Sequence, residues 1–150
     1  MFKQINFLVI IRILIGLLLI TSGGGKLLSH YQNFLYVIQN YEFLPPALEK
    51  FSALVVPWVE LLTGIFLVLG LWLSWTIKIA ALLFCSFITI VGQAIIRHLP
   101  ITECGCFGEL FSFPLHVVLV FDSSLALLTL FMMRKIDRIK ALSLDHYFQA

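Results

Sequence analysis

Two cysteines one glycine apart, Cys104 and Cys106 in the stretch ECGCFGE, stand between Glu103 and Glu109 in a chain that is otherwise mostly hydrocarbon. In a turning chain, residues i and i+2 have Cα atoms up to about 7 Å apart, just compatible with the roughly 4.4–6.8 Å that a disulfide needs. Gly105 supplies the dihedral freedom that so small a ring demands, and Phe107 and Gly108 belong to the same turn. Three chemistries fit the pair. The first is a catalytic or relay dithiol, since a strained disulfide is more oxidising than a structural staple. The second is a structural disulfide or a plain turn, although so short a loop stabilises little through chain entropy. The third is a soft-metal clip for Cu(I) or Zn completed by His98 or His116. The spacing is not that of the usual zinc patterns, so no metal is expected.

Four ionisable residues fall inside apolar runs: Arg12, Lys26, Glu60 and Asp122. Each costs roughly 2.5–3.5 kcal/mol near the centre of a membrane helix, so each needs a partner or a role. Counting along the runs places Glu60 and Asp122 at similar depth, about 10 Å in at 1.5 Å per residue. Lys26, near the end of the first run, is expected to pair with Glu60, and Arg12 to be a separate feature of the other half. Adding Gln93, Arg97, His98, Glu103 and His116, polar side chains are expected to gather beneath the Cys104 loop. Arg97, His98 and His116 would favour a thiolate there, whereas Glu103 and Glu109 would oppose it. Lys26, Glu60 and Asp122 either tie helices together or take part in proton or electron transfer. Cys85, in the middle of an apolar run, reads as a small packing residue.

The elements that must position these groups follow from composition. Of the 150 residues 61% are apolar and 12% charged, with mean hydropathy +1.03, far from a soluble domain. Four runs have the roughly 20-residue length that a bilayer demands: 7–28, 54–73, 75–96 and 115–133. The first is too long for a cleaved leader and contains Arg12. Backbone groups in lipid must pair within their own segment, so the spans are helices, and the expected architecture is one compact four-transmembrane-helix bundle. Lys3, Arg12, Lys78, Arg134, Lys135, Arg138 and Lys140 lie on one side and only Lys26, Lys50 and Arg97 on the other. That asymmetry predicts both termini in the cytoplasm, N-in and C-in, and Cys104 outside, where disulfides persist.

The link between spans two and three is predicted at Ser74, between Trp72 and Trp75. In the first outer loop Phe34, Leu35, Ile38 and Tyr41 recur at helical spacing until Pro45-Pro46, predicting a short amphipathic helix on the bilayer surface. Gly23, Gly24 and Gly25 permit close helix approach. The basic tail over 134–150 suits anionic lipid headgroups. A net charge of +2, accounted for by that tail, points away from nucleic acid.

Arg12 with Gly16, SGGGKL at 22–27, YEFLPP at 41–46, PWVELLTG at 57–64 and CGCFG at 104–108 occur here in that order. From about Arg12 to Met133 the chain resembles the DoxX-like integral membrane proteins, and within them the methylamine-utilisation MauE group. Two departures are visible: Glu103 stands where the group has Asp, and Phe121 precedes Asp122 where an Arg is common. The resemblance implies a multi-pass protein of the bacterial inner membrane, linked to thiol redox chemistry outside the cytoplasm. It further implies a thioredoxin-like partner or disulfide-containing client, as in maturation of methylamine dehydrogenase, and a quinone-linked thiol-disulfide oxidoreductase activity. A non-catalytic assembly factor with a structural loop disulfide is the alternative.

Overall fold

The computed structural model describes residues 2–99, 103–104, 113–136 and 139, with side chains described at 7–99, 114–136 and 139. Gly105, Cys106, Phe107 and Gly108 lie outside the described residues, as do Glu109 and most of the basic tail. Cys104 and Glu103 are described in their backbone alone.

Among the described residues the chain forms α1 (Phe2–Leu28), α2 (Tyr31–Asn40), α3 (Pro46–Leu69), α4 (Leu73–Ile96) and α5 (Leu115–Arg134). Ahead of α5, β1 (Glu103–Cys104) and β2 (Phe113–Pro114) make one short antiparallel pairing. Four helices are long and apolar enough to cross a bilayer: Phe7–Leu28, Pro46–Leu69, Leu73–Ile96 and Leu115–Arg134. The expected four-span bundle is therefore the fold, and α2 is the short helix expected in the first loop.

The outside of the bundle is made for lipid. Phe51, Leu82, Val120 and Leu127 are all more than 60% exposed, an apolar surface that water would penalise. The exposed hydroxyls of Ser86, Thr89 and Ser124 turn back onto the carbonyls of Leu82, Cys85 and Val120, each at 2.8 Å. That leaves no bare donor facing hydrocarbon at these positions. Cys85, expected as a packing residue, is instead an exposed free thiol on the same surface.

Span two was expected over 54–73 and is helical from Pro46 to Leu69. Pro45 is extended and Pro46 is the first helical residue, where a missing N–H costs nothing. The proline pair thus starts α3, because α2 has already ended at Asn40. At the other end Gly70 takes φ 72°, and both Gly70 N–H and Leu71 N–H donate to the Phe66 carbonyl, at 2.8 and 3.0 Å. A glycine in this left-handed conformation closes the helix. Trp72, at φ 43°, leads directly into α4. The turn is therefore Gly70–Trp72, and Ser74 lies within α4. Hydropathy carried span two through Trp72 because it registers apolar area and not hydrogen bonding.

α1 packs along α3, and α5 along α4. The first contact is almost backbone to backbone. A Cβ on Gly16 would lie 2.7 Å from Val68 Cγ2 and 2.9 Å from the Gly64 carbonyl oxygen. One on Gly64 would lie 2.7 Å from the Gly16 carbonyl, and one on Gly23 2.7 Å from both Leu61 N and the Pro57 carbonyl. Gly24, one residue on, meets nothing within 4 Å, so only Gly23 of that pair serves the contact. As α1 rises from Gly16 to Gly23, α3 descends from Gly64 to Pro57, an antiparallel register. Carried on, it leaves the first turns of α3 projecting beyond Leu28, and α2 packs against α3 there.

Candidate functional site

The close approach at Gly23 brings the polar face of α1 onto Glu60. Ser22 and Lys26 are four residues apart and share that face. Lys26 Nζ donates to Glu60 Oε1 at 2.5 Å and Ser22 Oγ donates to Glu60 Oε2 at 3.0 Å. Glu60 is 0% exposed and Lys26 3%. The ammonium also stands over two rings, Phe34 of α2 at 5.1 Å and Phe87 of α4 at 5.0 Å, within cation–π range. Three elements besides α1 therefore converge on one lysine. In a bilayer such a pair must be matched on every side, since breaking it strands a charge in low dielectric.

Asp122 is 5% exposed, and its Oδ2 is buried with no hydrogen-bond partner. Tyr41, at the C-terminal end of α2, packs with Val91 and Ala94 of α4 and with Leu115 and Val118 of α5. Its hydroxyl is likewise buried without a hydrogen-bond partner. Burial, and then the carboxylate of Asp122, push the Tyr41 phenol up to about 12 from its ordinary 10. Gln93 is half-buried, with its Oε1 enclosed and without a partner.

The other expected members do not join this group. Arg97 is exposed at the end of α4, where Nη2 lies 3.3 Å from Glu42 Oε2 and Nη1 donates to the Glu42 carbonyl at 3.1 Å. His98, at φ 51°, and His116 are exposed. These three polar side chains are solvated at the rim, while Lys26, Glu60 and Asp122 lie within. Arg12 is 3% exposed in the opposite half of α1, about 21 Å from Lys26 by helix rise. Among the described residues no three His, Cys, Asp or Glu side chains gather as a metal site.

Sequence reading did not single out Tyr41, Ser22, Phe34 or Phe87 as site residues. Ser22 was within reach of it, through its spacing from Lys26. The aromatic residues carry no such signal, since Phe and Tyr at helical spacing read as ordinary apolar face.

Cys104 belongs to the same end. It is in register across the β1–β2 pairing with Phe113, which stands two residues before Leu115 and the start of α5. The backbone of the cysteine strand is thus fixed to the mouth of the bundle.

The sequence model of the family described as methylamine utilisation protein MauE matches residues 5–134. The chain belongs to the MauE family. A relative from Methylorubrum extorquens, methylamine utilization protein MauE, is 31% identical over 91 residues, covering 61% of this chain and 49% of that protein. A protein of the same name from Paracoccus denitrificans is 29% identical over 110 residues, covering 73% of this chain and 59% of that protein. The chain thus spans about half the length of the curated MauE proteins it matches. No solved structure is significantly similar. Family and helices together make this a multi-pass membrane protein of a family linked to methylamine utilisation.

Proposed function

We propose that this MauE-family chain is a membrane-embedded thiol–disulfide redox protein of the bacterial inner membrane. Cys104 and Cys106 cycle between dithiol and disulfide on the extracytoplasmic side. Thiolate attack on a partner disulfide forms a mixed disulfide, and the second thiol resolves it. The partner is an extracytoplasmic thioredoxin-like protein or a disulfide-containing client, and the outcome is disulfide formation in an exported protein of the methylamine-utilisation kind. The observation that carries this reading is the position of the cysteine strand. It is paired to the residues that open α5, at the end of the bundle where Lys26, Glu60 and Asp122 are buried. Buried ionisable groups beside a dithiol are what proton-coupled thiol chemistry requires.

The test is trapping in whole cells with Cys104→Ser and Cys106→Ser variants, together with the reduction potential of the wild-type pair. One variant is expected to accumulate a mixed disulfide with an exported protein, and the potential to lie well above about −300 mV, where structural disulfides sit. A potential below that level and no trapped partner would instead make the protein a non-catalytic assembly factor.

A further inference from the structure

Asp122 is a buried acid that stands outside the ion pair. Glu60 accepts from Lys26 and Ser22, and a proton placed on it would strand the Lys26 ammonium. Asp122 interacts electrostatically with both members of that pair, yet its enclosed Oδ2 has no donor. An ionised carboxylate only accepts hydrogen bonds, whereas the protonated form also donates one. With Lys26 already matched by Glu60, an ionised Asp122 leaves one surplus negative charge within the bundle, a charge that a single proton removes.

Tyr41 stands between this acid and the cysteine strand. It packs on Leu115 and Val118 of α5, and Asp122, four residues beyond Val118, shares their helix face. The Tyr41 hydroxyl and Asp122 Oδ2 are both enclosed without a hydrogen-bond partner, and the carboxylate bears electrostatically on the phenol. They do not bond to each other directly, but one water that accepts from the hydroxyl and donates to the carboxylate satisfies both. From Leu115, which follows β2, to Asp122 is about 10 Å by helix rise. Proton transfer needs hydrogen-bond reach or one intervening water, so a thiol at the β1–β2 pairing needs an intermediary. A hydroxyl accepts on one side while it donates on the other. The titratable groups around Asp122 are Lys26 of α1, Tyr41 of α2 and Glu60 of α3; α4 brings the uncharged Gln93 to this end, and His116 of α5 is exposed at the rim.

We propose that Asp122 is the proton store of the cysteine pair, reached through the Tyr41 hydroxyl and one buried water, while Lys26 and Glu60 hold the helices together. Use of the proton by the thiols rests on the redox reading, whereas proton binding at Asp122 and its coupling to Tyr41 do not. In the exchange, a thiol passes its proton along this path to Asp122, and the thiolate attacks the partner disulfide, so that one S–S bond forms as another breaks. The displaced partner sulfur takes up the proton. The second thiol repeats the step, so two electrons and two protons pass from one pair of sulfurs to the other and Asp122 ends as it began.

The experiment begins with infrared spectroscopy of the purified full chain in lipid nanodiscs, titrated with acid and base. A carboxylic C=O band that is lost in Asp122→Asn and displaced in Tyr41→Phe is expected. No band assignable to Asp122, or one that Tyr41→Phe leaves unmoved, overturns the proposal. The reduced chain, in a Cys85→Ser background, is then reacted with oxidised glutathione across pH. Near pH 7 Asp122→Asn should exchange at about a hundredth of the wild-type rate, the low end of what a positioned base contributes, and Tyr41→Phe should be slowed in the same direction. Both should recover towards wild type above about pH 9, where a thiol ionises unaided. An Asp122→Asn rate equal to wild type, or lowered equally at every pH as a merely structural loss would be, overturns the proposal. Thermal unfolding identifies whether Asp122→Asn is folded; if it is not, Asp122→Ser takes its place. A wild-type chain whose thiols do not exchange, with the infrared coupling intact, overturns the redox reading and the use of the proton, but not the site.

Discussion

Glu60 shows how one carboxylate can hold several elements at once. It accepts from Ser22 and Lys26 of α1, and the lysine it holds is in turn flanked by rings from α2 and α4. Removing one member of such a buried pair costs about 3–5 kcal/mol, whereas replacing both with apolar groups is often near neutral. Glu60→Ala should therefore lower the thermal unfolding midpoint in detergent sharply, and Lys26→Met combined with Glu60→Leu should recover most of the loss. An exposed pair behaves differently, and Arg97 with Glu42 should contribute no more than about 1 kcal/mol. Tyr41 adds a dependence on pH. Its phenol ionises near 10 when unfolded and near 12 when folded, so between those values the unfolded chain has already released a proton that the folded chain keeps. Stability is unaffected by this group below pH 10 and falls as pH rises towards 12. Unfolding midpoints measured across that window should fall less steeply in Tyr41→Phe than in wild type. The charges of this site were legible in the sequence because ionisable residues in apolar runs are conspicuous by type. Tyr41 was not, because its spacing within α2 is that of any amphipathic face.

At the level of elements, the contact between α1 and α3 rests on missing side chains. Gly16, Gly23 and Gly64 each leave room that the opposing backbone occupies, with Cβ positions 2.7–2.9 Å from its atoms. Real Cβ atoms do not approach so closely, so Gly16→Ala, Gly23→Ala and Gly64→Ala must push the helices apart, at about 1–3 kcal/mol each, the usual cost of overpacking. Gly24→Ala has open space around it and should be neutral in the same unfolding assay. If all four variants behave alike, the close packing of α1 on α3 is wrong. Hydropathy located all four spans but misplaced both ends of α3. Pro46 as a helix start and Gly70 as a helix stop are local backbone decisions, and an average over apolar residues does not register them. The SGGGK stretch pointed to a close approach, but which glycine makes it depends on the rotation of α1 about its axis. That rotation is the one that turns Ser22 and Lys26 onto Glu60, on another helix.

For the whole molecule, four spans and a covering helix place the buried Lys26, Glu60 and Asp122 towards one end of the bundle, and at the opposite end a short turn with exposed Trp72 and Trp75, suited to the headgroup level. The pairing of Lys26 with Glu60 also has a consequence for biogenesis. The two residues are 34 positions apart, so during synthesis α1 enters the bilayer carrying an uncompensated cation until α3 has followed it. A charge near a helix centre weakens insertion by roughly 2.5–3.5 kcal/mol, less near an end such as that of α1. The first helix should thus hold its place poorly by itself and firmly once the second long helix arrives. In an insertion assay with a glycosylation reporter, a chain ended after Asn40 should integrate α1 less completely than one ended after Gly70. Glu60→Gln in the longer chain should undo part of the gain. Assembly in this protein would then be timed by a charge that waits for its partner.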